Sequence, residues 1–84
     1  MYSIKLLVKS AINDKVVIES CGSDSYLKID GRIRDMYKVH NIAFGHMHSL
    51  KNIRPYAGVN IYRNGKLAET ILFSDYTDFQ FKSI

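Results

Sequence analysis

A chain of 84 residues makes one domain, and at this size only about 60–65% of the unfolded surface is buried, so the core has to be efficient. With 46% hydrophobic and 24% charged residues, six Tyr and four Phe, the composition excludes an intrinsically disordered chain. A formal charge of +4 and a pI near 9.3 favour acidic or polyanionic partners: nucleic acid, an acidic protein face or an anionic surface.

Cys21 is the single cysteine, so no internal disulfide supports the core, which points to a reducing, cytoplasmic setting. No apolar run approaches the roughly 18 residues of a membrane span. Lys5, Lys9, Asn13, Asp14 and Lys15 break up the first twenty residues, against a secretory leader. The expected partner is therefore a macromolecule rather than a membrane.

In chain order, Tyr2, Ile4, Leu6 and Val8 alternate with mostly polar neighbours, the period of a strand with one buried face. Residues 15–21 are short and β-branched, a second strand. Pairing Val8 with Ile18 leaves Ile12-Asn13-Asp14 as the loop of a hairpin spanning about 2–21.

Two readings compete for residues 26–44. One is a hairpin turning at Asp30-Gly31. The other is a short strand at 26–29 followed by a helix at about 31–44, with Asp30 as N-cap and Gly45 as its stop. The helix is preferred, because Ile33, Met36, Tyr37, His40 and Phe44 keep one stripe over three turns. Residues 45–55 then connect back to the sheet, and Pro55 marks the entry to the next strand.

Residues 56–73 carry the strongest local signal, Asn64-Gly65 between alternating apolar residues, which predicts a two-residue hairpin turn. An unbroken register puts Ala57, Val59, Ile61, Ala68, Thr70 and Leu72 on one face. Tyr56, Gly58, Asn60, Tyr62, Leu67, Glu69, Ile71 and Phe73 fall on the other. Residues 78–82 offer a further short strand. The expected fold is α+β: an antiparallel sheet of two hairpins, about 2–21 and 56–73, with one helix on one face.

His46 and His48, if on a strand, would share a face and offer two metal ligands, but no third is placed beside them. Cys21 lacks the context of a nucleophile. His40, His46, His48, Arg54, Tyr56 and Arg63 are the residue types a metal-independent ribonuclease uses. Tyr56, Tyr62 and Phe73 with Arg54, Arg63 and Lys66 could form an aromatic, basic platform, either a protein-binding patch or a base-stacking surface. There is no phosphate-binding glycine loop and no cofactor motif. Ile, Lys, Asn and Tyr make up 29 of 84 residues. That bias is common in phages and mobile elements, whose small proteins often bind and block host proteins.

These observations rank a non-enzymatic inhibitor or adaptor first, acting through the basic, aromatic sheet face. Direct RNA or DNA binding comes second and a small endoribonuclease third. Protein ranks ahead of nucleic acid as the partner, and a homodimer stays open.

Overall fold

The computed structural model describes residues 1–13, 16–50 and 56–72. They form β1 (Tyr2–Lys9), β2 (Val17–Glu19), a 3-10 turn (Ser23–Ser25), β3 (Tyr26–Lys28), α1 (Met36–Ser49), β4 (Gly58–Arg63) and β5 (Lys66–Leu72). The result is the expected α+β fold, one helix packed with an antiparallel five-stranded sheet. β1 lies in its middle. One edge of β1 pairs with β4; the other pairs with β3 opposite Ser3–Lys5 and with β2 opposite Leu7–Lys9. β5 closes the far side of β4.

The alternation in β1 does what its period dictates. Tyr2, Ile4 and Leu6 enter the core, where Ile4 lies opposite Ile61 and Leu6 opposite Val59. The helix lays Val39, Ala43, Phe44 and Met47 on this layer. Burying a side chain of this size stabilises by about 1.5–3 kcal/mol, so this layer dominates the stability of a chain this small. Val8 pairs with Ile18 as expected, but β2 is only three residues long, and Val16 and Ile18 stay about half exposed.

The helix differs from its expected position. Its N-cap is Asp35, whose carboxylate accepts from the Tyr37 N–H at 3.0 Å. Asp30 is engaged elsewhere: it accepts from the Arg32 backbone at 2.9 Å and pairs with the Arg32 guanidinium at 2.9 Å. Ile33 N–H donates to the Asp30 carbonyl, so 30–33 is a turn between β3 and α1, which removes the alternative hairpin. Gly45 does not stop the helix. Glycine mid-helix costs about 1 kcal/mol, less than the burial of Met47 one half-turn later returns. The buried stripe is Val39, Ala43, Phe44 and Met47, with Met36 and Leu50 partly buried beside it, whereas Tyr37 points out at 53% exposure.

The β4–β5 hairpin turns at Asn64-Gly65, with positive φ at both residues (52° and 82°), the signature of a type I′ turn. Arg63 faces Lys66 and Tyr62 faces Leu67, as an unbroken register requires. Ile61 then faces Glu69, so Ala68 is the extra residue of a bulge. Every later position changes face. Ile71 joins the core beside Val59, while Thr70 and Leu72 move to the opposite side. The physical reason is that Ile71 gains far more from burial than Ala68 does. Glu69 now looks towards the helix, where His40 Nε2–H donates to its carboxylate at 2.8 Å.

Arg54, Phe73 and the possible strand at 78–82 lie outside the described residues. No helix among the described residues is long and apolar enough to cross a membrane.

Candidate functional site

The sheet face turned away from the helix carries the odd-numbered side chains of β1 and their cross-strand partners. Lys5 lies beside Tyr26 of β3 and Asn60 of β4, Ser3 beside Lys28 and Tyr62, and Leu7 beside Glu19 of β2. The register thus gathers residues distant in sequence around one carboxylate.

Glu19 Oε2 accepts from Asn60 Nδ2 at 2.8 Å and from the Tyr62 hydroxyl. Lys5 Nζ stands 3.7 Å from Oε1, and 5.5 Å from the centroid of the Tyr62 ring, a cation–π position. Thr70 Oγ1–H donates to Asn60 Oδ1 at 2.6 Å, which fixes the amide so that its N–H points at Glu19. Thr70 can do this only because the bulge at Ala68 turns it onto this face.

The electrostatics follow from the contacts. The hydrogen bond from Tyr62, then that from Asn60, holds the Glu19 carboxyl below its ordinary value of 4.5; partial burial opposes this and Lys5 adds to it. The same bond to Glu19, with lesser help from burial and the nearby negative charge, raises the Tyr62 phenol above 10.0. At neutral pH the pair is a carboxylate accepting from a neutral phenol, which makes Tyr62 a poor nucleophile and holds its ring in place.

Around this network the face is closed at Leu7, which is buried, and open at three apolar or aromatic side chains. Tyr26 is 47% exposed, Leu67 55% and Leu72 41%. Lys9 and Lys28 are exposed on the same side, so among the described residues this face carries three lysines and one carboxylate, that of Glu19.

The described residues among those expected to form one platform are separated. Tyr62 lies on this face, half-buried. Arg63 and Lys66 face each other at the hairpin tip and, one position on, project to the opposite side of the sheet. Tyr56 turns towards the core, where its hydroxyl meets Ser25 Oγ at 3.0 Å.

The histidines are separated too. His46 and His48 lie on α1, not on a strand, and residues two apart on a helix do not share a face. His46 Nε2–H donates to the Asp24 carbonyl at 2.7 Å, and the His48 ring lies 5.8 Å from that of Phe44. With His40 on Glu69, the histidines available to a ribonuclease have three different environments. Among the described residues, no group of three or more His, Cys, Asp or Glu is close enough to hold a metal ion.

Lys5, Glu19, Tyr26, Asn60 and Thr70 were not singled out from the sequence. The Val8–Ile18 register already implies that Glu19 sits opposite Leu7, a usable signal for Glu19; Thr70 had none, because the bulge reverses its face.

No protein-family model matches the chain, and no curated protein or solved structure matches it either.

Proposed function

We propose that this is a small non-enzymatic binding protein, an inhibitor or adaptor, that engages an acidic surface of another protein through the sheet face opposite its helix. The observation that carries the proposal is the Glu19 network. One carboxylate holds Tyr62, Asn60 and Lys5 in fixed positions in the middle of a face that also exposes Tyr26, Leu67 and Leu72. Preformed aromatic anchors lose little freedom on binding, and tyrosine is enriched among the residues that dominate interface energies. Lys5, Lys9 and Lys28 supply the charge complementarity that selects an acidic partner and speeds encounter.

The same geometry favours protein over nucleic acid. A base-stacking platform needs open ring faces and no negative charge beside the phosphate track. Here the Lys5 ammonium covers one side of the Tyr62 ring, and the Glu19 carboxylate lies beside it.

The test is affinity capture from the natural host with wild type, Tyr26→Ala and Lys28→Glu, followed by binding measurements on the purified partner. The expected result is an acidic protein whose affinity drops at least tenfold in either variant. A partner bound equally well by all three proteins refutes the proposal. So does retention of single-stranded RNA at low salt that Tyr26→Ala abolishes, which would assign the face to nucleic acid.

A further inference from the structure

Where β1 begins, five residues before the Leu7 that faces Glu19, a cleft of about 290 Å³ opens between two pieces of chain. One wall is the start of β1 and the hairpin tip: Met1, Tyr2, Arg63 and Asn64. The other is the turn before the helix: Gly31, Ile33 and Arg34. Both walls are anchored. Asn64 N–H donates to the Met1 carbonyl at 2.8 Å, and Ile29 N–H donates to the Tyr2 carbonyl at 2.9 Å.

Each wall contributes one arginine. Among the described residues, neither Arg34 nor Arg63 has an ion pair or side-chain hydrogen bond, and no carboxylate lines the cleft. The acidic residues nearest in sequence are committed elsewhere: Asp30 to Arg32, and Asp35 to the helix N-terminus. Two guanidinium groups that meet no carboxylate among the described residues thus line one cleft.

We propose that this cleft binds a phosphate group, free or as a small phosphomonoester. Each guanidinium presents N–H donors in a planar fork. A carboxylate is planar and commits both of its oxygens to one fork on one side. A phosphate has enough oxygens, and charge enough at neutral pH, to engage a fork from each wall. The volume lies at the lower limit of ligand pockets, which suits a compact monophosphate and excludes a dinucleotide. The site is independent of the proposed protein-binding face, and either stands if the other fails.

The experiment is an amide NMR titration of the full chain with inorganic phosphate, glycerol 3-phosphate and acetate, each at ionic strength matched with sodium chloride. The expected result is saturable shifts at Gly31, Asn64 and Gly65 with both phosphates and not with acetate or chloride. Tighter binding of glycerol 3-phosphate assigns an esterified ligand, and equal binding assigns free phosphate; both uphold the site. Arg34→Gln and Arg63→Gln should each weaken binding at least tenfold, about 1.4 kcal/mol or more, because each removes a charge-assisted fork. Both side chains are on the surface, so the variants keep the wild-type spectrum elsewhere. Non-saturable shifts, equal shifts with chloride, or unchanged affinity in the double variant overturn the proposal.

Discussion

Gly58 and Gly45 are expected to respond to alanine with opposite signs, and the structure supplies both magnitudes. A Cβ on Gly58 would stand 2.5 Å from the Ile71 carbonyl oxygen and 3.0 Å from the Leu72 Cα. Comfortable C···O contacts begin near about 3.3 Å, so β4 and β5 must separate by roughly 0.8 Å. The obstacle is backbone of the partner strand, so no side chain can rotate away. That separation stretches ladder hydrogen bonds beyond their useful range, at about 1 kcal/mol each, and loosens Val59 against Ile71. With about 0.5–1 kcal/mol returned by stiffening the unfolded chain, the net loss is about 2–3 kcal/mol. Around Gly45, by contrast, a Cβ meets nothing within 4 Å, and the residue is exposed in mid-helix. Gly45→Ala should gain about 0.5–1 kcal/mol. At about 4–8 °C per kcal/mol for a domain this size, Gly58→Ala lowers Tm by roughly 10–20 °C and Gly45→Ala raises it by a few degrees. Thermal and urea unfolding followed by circular dichroism read both. A Gly58→Ala loss under about 0.5 kcal/mol would refute the close approach of β4 and β5, since even mild overpacking costs more. A destabilised Gly45→Ala would refute a helix running through that position.

Two further outcomes test the bulge and the Glu19 network. Ile71→Ala should cost about 2–4 kcal/mol and Leu72→Ala less than about 1, because only Ile71 lies in the core; urea unfolding giving the reverse order would restore the unbroken register. Tyr62→Phe should cost about 1 kcal/mol near neutral pH, a value reduced for the partial exposure of Glu19. The Glu19 pKa is lowered on folding, so its contribution is present above 4.5 and lost as pH falls through the folded-state value. The Tyr62 pKa is raised, so the bond is also lost in strong alkali, as pH climbs past 10.0 and through the folded-state value. The stability gap between wild type and Tyr62→Phe should therefore close at both extremes; a gap independent of pH from 3 to 7 would show that the hydroxyl is not bonded to a carboxylate.

What was legible in the sequence depended on how local the governing interaction is. The Asn64-Gly65 turn is set by two residues that tolerate positive φ, and it forms where expected. The Val8–Ile18 register follows from alternation plus a short loop, and it too holds. The helix exists, but its limits were displaced by five residues at each end. Asp30 and Asp35 are equally good caps in isolation; the choice between them lies in Arg32, which takes Asp30 into a turn. Gly45 is a good stop in isolation, and only the sheet beneath Met47 makes continuation worthwhile.

The site was less legible because its placement depends on one residue that contributes nothing to it. Ala68 interacts little with its surroundings, yet leaving it unpaired decides which side of the sheet Glu69, Thr70, Ile71 and Leu72 occupy. A propensity argument sees an uninterrupted strand from 66 to 72 and assigns Thr70 to the core face. The comparison that settles it is between burying Ala68 and burying Ile71, a difference of several methyl and methylene groups at about 0.8 kcal/mol each. That difference exceeds the cost of one unpaired ladder position, so the register slips. The slip delivers Thr70 to Asn60, whose amide it fixes towards Glu19, and Glu69 to His40. A change that satisfied the core thus completed the polar face as a consequence, and among the described members of the expected platform Tyr62 is the one that lies on it.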